Sequence, residues 1–428
     1  MELSVVIPAW NEADNLAKLL PQLHTVLATL HCDYEIIVVD NHSSDATEAA
    51  CAAANAICVQ QTERGYGGAL WAGFARAQGK HILTMDADLS HLPDFIPTLW
   101  AHRSEAELLI ASRYVEGGSG DMPWYRQVLS VILNQVYTRL LSLPFEDISS
   151  GFRLYQAAAL QGLDLKSNDF DALEEILIKC YAQGCKVIEL PFHYVPRDKG
   201  KSKVKLLHFG VSYLKTLLRM WKLRNSIASA DYDARAYDSI IPLQRYWQRE
   251  RYRIVTRMVD PSQPCLDIGC GSSHILGALH EHSVGLDISC GKLLYSRRFG
   301  RHLVQGSGFA LPFASRAFGQ VLCSQVIEHL PASEEPFAEM ARMLQDGGRL
   351  VLGTPDYGRL SWVILERLYG FFAPGAYADE HITHYTRDGL IRVLAKCGFR
   401  LERVGYVGGS EMILLFHKSS KAEGTCPA

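Results

Sequence analysis

The sequence predicts two α/β domains in tandem, each built on a mostly parallel sheet with a ligand site at its strand ends. Three observations predict this. At 428 residues the chain is too long for one ordinary core. Short apolar strands alternate with helical stretches in both halves, the pattern of parallel strands joined by crossover helices. Acids stand where strands stop, at Asp40 and Asp86 in the first half and Asp287 in the second. In open α/β sheets ligands bind at the carboxyl ends of the strands.

Composition narrows the class. Hydrophobic residues make up 48% and charged residues 21%, the balance of a soluble globular protein. A net charge of −3 argues against general nucleic-acid binding. Eleven cysteines are scattered without a C-x-x-C pair, which fits a reduced cytoplasmic protein better than a disulfide framework. The first residues, MELSVVIPAW, enter a strand at once and lack the layout of a signal peptide. No apolar run reaches the length of a membrane span, so any membrane contact is expected to be peripheral, on the inner face of the cytoplasmic membrane.

In the first half, Leu3–Ile7 reads as a buried strand ended by Pro8, and Asn11 or Asp14 can cap a helix running to about Leu30. Tyr34–Asp40 is a second strand, followed by a helix over 46–54 and a short strand over 56–60. Arg64-Gly65-Tyr66-Gly67-Gly68 reads as a turn before a helix to Ala77. The apolar run 81–84 then delivers Met85-Asp86-Ala87-Asp88-Leu89-Ser90-His91. In an extended segment residues i and i+2 share a face. Two carboxylates so placed repel unless a cation joins them, and Mg²⁺ or Mn²⁺ is the natural guest. The plainer alternative is a polar turn, with Asp88 or Ser90 capping a helix that starts near Pro93. For Asp40 the plainer alternative is an Asx turn.

Seven blocks in order carry a resemblance: VVIPAWNE (5–12), VVDNHSSDAT (38–47), ERGYGGAL (63–70), MDADLSH (85–91), SRYVEGG (112–118), DISSGFRLY (147–155) and PFHYVPRDKGKSK (191–203). Residues 1–203 resemble a family-2 glycosyltransferase of the GT-A fold, of the dolichol-phosphate mannose synthase-like type that loads sugars onto polyprenyl phosphates. The resemblance implies that Pro8, Trp10, Glu12, Asp40 and Asn41 line the nucleoside pocket of a GDP- or UDP-linked sugar. It implies that Asp86 and Asp88, with the Ala87 backbone, hold the metal on the diphosphate. Arg113, Arg126, Ser130, Arg197 and Lys203 would gather the diphosphate and the acceptor phosphate. Guanidinium forks suit phosphate oxygens. Asp40-Asn41 stands where the family often has two aspartates, which leaves the nucleobase open. A lipid phosphate is already anionic and needs alignment rather than a base, with inversion at the anomeric carbon. If a sugar hydroxyl were the acceptor instead, Asp147 is the nearest candidate base.

Residues 199–224 contain eight Lys and Arg and no acid. From Val204 the period is helical. Leu207, Val211, Leu214, Leu218 and Trp221 share one face, and Lys215, Arg219 and Lys222 another. Such a helix suits an anionic membrane surface, or it packs on the catalytic domain with a solvated basic edge. Residues 204–239 are read as this helix plus a linker, and 240–428 as the second domain.

In the second half, Cys265–Ser273 is a strand running into a glycine turn and a helix, and Val284–Asp287 is a strand ending in an acid. Gly269 and Gly271 let backbone approach a ligand, and Asp287 can hold ribose hydroxyls. With ALPFASRAFGQV (310–321), SQVIEHL (324–330), EMARMLQDGGRLVLGTPD (339–356) and HITHYTRDGLIRVLAKCGF (381–399), the half resembles a class I S-adenosylmethionine-dependent methyltransferase, a Rossmann-like seven-stranded fold. By that resemblance Asp267, Gly269, Cys270 and Gly271 surround the cofactor's amino-acid end, Asp287 its ribose, and Ser307 and Gln325 complete the set. The acid usual on the adenine side is Ser307, which could still donate a hydrogen bond to adenine, and the usual Phe-Asp is Phe318-Gly319; with these two departures cofactor binding remains the expectation. A scaffold module without catalysis is the alternative. His329, His381 and His384 are candidate bases in the acceptor cleft. The 381/384 spacing hints at a metal, but no third ligand is evident in the sequence, so packing or polar contacts are favoured. Tyr357 and the stretch 362–372 are expected to cover the acceptor.

Overall fold

Apolar strands too short and too branched to pack as helices build the centre of each half. The computed structural model describes residues 1–63, 65–121, 123–195, 206–372 and 381–419. The chain divides into two compact units, 1–223 and 224–428.

In the first unit the strands in chain order are β1 (Leu3–Ala9), β2 (Tyr34–Asp40), β3 (Ile57–Gln60), β4 (His81–Thr84), β5 (Leu108–Ser112), β6 (Ser119–Gly120), β7 (Arg153–Gln156), β8 (Val187–Pro191) and β9 (His193–Tyr194). Seven form one sheet in the order β3-β2-β1-β4-β7-β5-β8. β1, β2, β3 and β4 run parallel, whereas β7 runs antiparallel to both of its neighbours, β4 and β5. The sheet is therefore mixed, and the reversal brings the 147–152 loop back to the end of β4. β1 is buried along nearly its whole length, and Leu16, Leu19, Leu20, Leu23 and Leu27 of the helix Ala13–Ala28 cover one face of the sheet.

Two local expectations are corrected. The glycine stretch after Arg64 is the first turn of a helix, Tyr66–Arg76, not a turn preceding it. A Cβ on Gly67 would stand 2.4 Å from the Ser167 carbonyl, so the glycines serve close helix approach. Asp86 and Asp88 lie beyond β4, in a bend where Leu89 takes φ +64°, and not on the strand.

The helix Leu206–Arg224 packs on the first unit through a mixed face that includes Thr216, Arg219 and Met220. Thr216 donates to Asp171 (2.6 Å), and Arg219 turns inward to Ser167 (2.7 Å) and Glu175 (3.6 Å) rather than joining a basic outer edge. Val211, Leu214, Leu218 and Trp221 remain about half exposed.

Beneath this helix, Glu174 is wholly buried, and neither carboxyl oxygen has a partner among the described residues. Burial pushes its carboxyl up to about 8. A carboxyl raised in the fold costs stability as pH climbs from its unfolded value toward the folded one. Glu174→Gln is thus expected to raise the thermal midpoint of the full chain at about pH 8.5 and to change it little at about pH 5. Calorimetry at the two pH values checks this.

In the second unit the strands are β10 (Cys265–Ile268), β11 (Val284–Asp287), β12 (His302–Gln305), β13 (Phe318–Ser324), β14 (Leu344–Pro355), β15 (Phe399–Val407) and β16 (Glu411–Lys418). Their order is β12-β11-β10-β13-β14-β16-β15, parallel except for β16, which runs antiparallel to β14 and β15. The linker expected from Asn225 to about Asp233 runs into the helix Tyr232–Tyr237. Asp231 in front of it forms a buried pair with Arg224, and Asp233 reaches the glycine turn of this unit.

Candidate functional site

The parallel pairing of β1 with β2 sets Ala9 opposite Asp40, so the residues that follow both strands meet at one edge. Pro8, Trp10, Glu12, Asp40 and Asn41 are brought together there, with Trp10 44% exposed. Asn11 and His42 both adopt positive φ, +54° each, at the two strand ends. Non-glycine residues in this region cluster where function holds strain. Asn11 accepts from the Ser44 amide (2.8 Å), stitching the loops together. Asp40 is buried and accepts from Ser43 (2.5 Å) and Gln60 (2.8 Å), the Asx-type turn considered above.

Asp86 and Asp88 stand at the end of β4, beside that edge. Asp86 accepts from the Tyr66 hydroxyl (3.2 Å), and Asp88 from the Ser90 amide (3.1 Å) and hydroxyl (2.5 Å). Ser90 and Asp88 therefore bond each other rather than cap the turn beginning at Pro93. The Asp86 amide donates to His91 Nδ1 (3.0 Å), which leaves the ring proton on Nε2, 3.9 Å from the Asp86 carboxylate. His91 stacks on Phe152 (5.0 Å between centroids). Gly151 passes so close that a Cβ would meet the Tyr66 hydroxyl at 2.7 Å. Two carboxylates one residue apart, flanked by hydroxyls, form a hard oxygen donor set that fits Mg²⁺ or Mn²⁺. The sequence did not single out Tyr66, His91 or Gly151, because three separate segments bring them together.

Arg113 is locked onto Asp147. Its amide (3.0 Å), Nε (2.8 Å) and Nη2 (2.7 Å) all donate to that carboxylate, and Nη2 also reaches Ser149 (2.8 Å). Ser149 lies 3.3 Å from Ser130 on the helix Trp124–Leu141, so Arg113, Ser130 and Asp147 form one chain. Burial alone would raise the Asp147 carboxyl, yet Arg113 holds it below the usual carboxylate range. Wholly buried and bidentately paired, Asp147 is a structural anchor and not an accessible base. Of the other expected phosphate ligands, Arg126 sits in the same helix one turn before Ser130, but its side chain is outside the described residues. Arg197 and Lys203 also lie outside them.

In the second unit Gly269 (φ +69°) and Gly271 (φ +54°) form the turn after β10. A Cβ on Gly269 would strike Val326 at 2.2 Å. The Gly271 amide donates to Asp287 (2.9 Å), and Asp267 is buried beneath, its carboxyl pushed up to about 7 by burial and then by Asp287. Cys270 points into the core, so its side chain does not face a ligand. Gln325 follows β13 with φ +60°, and its buried Nε2 has no partner among the described residues. Ser307 Oγ accepts from the Phe309 amide (3.2 Å). Gly319 corrects an expectation: it lies at the start of β13, five residues and about 17 Å of strand from the cofactor end. The missing acid there bears on the packing of Gln263, not on a cofactor. Asp233 and Lys292 (3.6 Å apart) flank the glycine turn, and Ile288, 75% exposed, stands open beside Asp287. None of these three was flagged by motif. The glycine turn, the orphaned Gln325 amide and Asp287 fit S-adenosylmethionine.

Comparison with known proteins agrees with both halves. Residues 4–163 match the description Glycosyl transferase family 2, and residues 266–352 the description Methyltransferase domain. The chain is 34% identical over 238 residues to a dolichol-phosphate mannosyltransferase of Pyrococcus furiosus, covering 53% of this chain and 66% of that one. It is 34% identical over 215 residues to a polyprenol monophosphomannose synthase of Mycolicibacterium smegmatis, covering 47% and 80%. A glucosyl-3-phosphoglycerate synthase from Mycobacterium tuberculosis, solved with Mn²⁺, uridine diphosphate and glucosyl-3-phosphoglycerate, is 20% identical with a TM-score of 0.41, covering 51% and 79%. The two matched domains make both halves transferases. The chain belongs to glycosyltransferase family 2, with a methyltransferase domain following in the same polypeptide.

Proposed function

We propose that the first unit transfers a sugar, with inversion, from a nucleotide sugar to a polyprenyl phosphate, and that the second methylates an acceptor in the same glycolipid or polysaccharide pathway. The observation that carries the lipid acceptor is the helix Trp124–Leu141. One side places Ser130 against Ser149, which Arg113 also bonds, while Trp124 (76% exposed), Val128, Leu129, Ile132, Val136 and Leu140 stand open to solvent. The helix Leu206–Arg224 adds its own open apolar side chains, and Tyr137 of the first helix donates to the Tyr213 carbonyl of the second (2.6 Å). Two joined helices with bare apolar sides suit a membrane surface that presents a lipid-borne phosphate. No helix of the described residues is long and apolar enough to cross a membrane. The relatives named for dolichol-phosphate and polyprenol-phosphate mannose transfer support the same acceptor.

In this reading Pro8, Trp10, Glu12, Asp40 and Asn41 receive the nucleoside, and Asp86 and Asp88 hold the divalent ion. When bound, that ion offsets negative charge on the departing diphosphate. Tyr66, His91 and Ser90 keep the two carboxylates in place. Arg113, through Asp147 and Ser149, positions the 147–151 loop beneath them. An anionic acceptor oxygen needs no base, which agrees with the burial of Asp147.

The test is transfer of radiolabel from a panel of GDP- and UDP-sugars with membranes and Mg²⁺ or Mn²⁺, followed by solvent extraction. Acid-labile label in the organic phase supports the proposal and identifies the donor. Label that stays in water with every active donor overturns the lipid acceptor. For the membrane surface, burying one aliphatic side chain is worth about 1.5–3 kcal/mol, so Ile132→Ser and Leu218→Ser should each weaken binding to phosphatidylglycerol vesicles roughly tenfold. Both side chains are exposed, so the thermal midpoint should hold, and co-sedimentation checks the loss.

A further inference from the structure

Glu328, His329 and His381 offer one ligand atom each, all within 4.8 Å of one another. We propose that they form a divalent-cation site in the second unit, suited to Zn²⁺ or Mn²⁺, that binds an oxygen of the methyl acceptor. The role in methyl transfer rests on the function proposed above; the cation binding does not.

Four observations converge on the site. Glu328 is fully buried; its Oε2 accepts from Thr354 (3.0 Å), while Oε1 is buried without a partner among the described residues. A carboxylate oxygen left bare in the interior is costly unless something positive completes it. The second observation is the tautomer of His381. Its Nδ1 lies 2.9 Å from the Glu366 carboxylate, which also accepts from the Tyr357 hydroxyl (2.5 Å). A carboxylate accepts, so Nδ1 carries the proton and Nε2 is the bare nitrogen. That carboxylate–histidine arrangement is the one that orients metal-ligating imidazoles. Third, the ligands are held rigidly relative to each other. The Ile382 and Thr383 amides donate to the Glu328 carbonyl (2.8 and 3.0 Å), and the Thr383 hydroxyl donates to the Leu330 carbonyl (2.6 Å). Fourth, the site follows β13 by four residues, three beyond Gln325, at the strand end where the cofactor turn lies. Two imidazoles and one carboxylate leave coordination positions open for an exogenous oxygen.

His384 is not part of it. It stacks on Tyr357 (4.1 Å, 19°), so the third ligand missing from the 381/384 spacing comes from the Glu328-His329 turn instead.

The test is titration of the full chain with Co²⁺, in a background of Asp86→Asn and Asp88→Asn that removes the carboxylate pair of the first unit. One equivalent with visible d–d absorption is expected, displaced by Zn²⁺. His329→Ala and His381→Ala should remove it, and Glu366→Gln, which keeps all three ligands, should weaken it about 10–100-fold. S-adenosylmethionine binding by calorimetry reports folding, and if a histidine variant loses it, Glu328→Gln and Glu366→Gln decide the matter. No d–d absorption, or absorption unchanged in these variants, overturns the site. Cation binding without S-adenosylhomocysteine release from any hydroxyl acceptor would overturn the methyl-transfer role and leave the site standing.

Discussion

Replacing Asp88 with alanine is expected to lower sugar transfer by at least about a hundredfold while leaving the thermal midpoint of the chain within a few degrees. Asp88 lies past β4 in a loop rather than in the sheet, and Ser90, its own loop neighbour, donates to its carboxylate from both amide and hydroxyl. What it would lose is one of the two carboxylates proposed to hold the divalent ion. Asp86→Ala is expected to fail equally. His91→Phe tests a different link: it keeps the stack on Phe152 but removes the acceptor of the Asp86 amide. Its transfer rate should fall less, about tenfold, with a higher Mn²⁺ requirement. Initial rates across a Mn²⁺ titration separate the two classes. Full activity in Asp88→Ala at saturating donor would sink the metal role.

Arg113→Ala is expected to destabilise the first unit by about 3–5 kcal/mol, because it strands a buried carboxylate. Asp147 is fully buried and takes three bonds from Arg113, and no other basic group is within bonding distance of it among the described residues. Its carboxyl is held below the ordinary aspartate value of about 3.9. A depressed carboxyl stabilises the fold above its unfolded pKa, and that contribution fades as pH falls through the folded one. The gap between wild type and Arg113→Ala should therefore be widest near neutral pH and narrow below about pH 4. Denaturant melts at the two pH values measure it. The same variant should lose transfer beyond its loss of folding, since the Ser149–Gly151 loop leans on Asp86 and Tyr66.

Much of this protein was readable along the chain. The strands announce themselves because β-branched runs such as Tyr34–Asp40 are buried on both sheet faces, and such runs need no distant partner to be recognised. The carboxylate pair at 86 and 88 and the glycine turn at 269–271 are likewise local, each set by a few consecutive residues. Where reading failed, the deciding contact was remote. The glycines after Arg64 look like a turn until backbone carbonyls of Asn168, Ser167 and Glu63 fill the space where Cβ atoms on Gly65, Gly67 and Gly68 would be. The pairing of Arg113 with Asp147, thirty-four residues on, is likewise invisible along the chain. Arg219 belongs on a basic face by periodicity, but Glu175 and Ser167 draw it inward, so the apolar face is the one left bare.

By itself, then, the sequence determined the two α/β units, the strand-end carboxylates and the cofactor turn, because backbone preference and burial pattern act over short spans. Tertiary structure alone decided which of the charged residues pair with one another in the interior and which stay open. A charge takes whatever partner the fold brings within about 4 Å, and chain separation is no guide to that distance. His329 and His381 are fifty-two positions apart in the chain and about 5 Å apart in space.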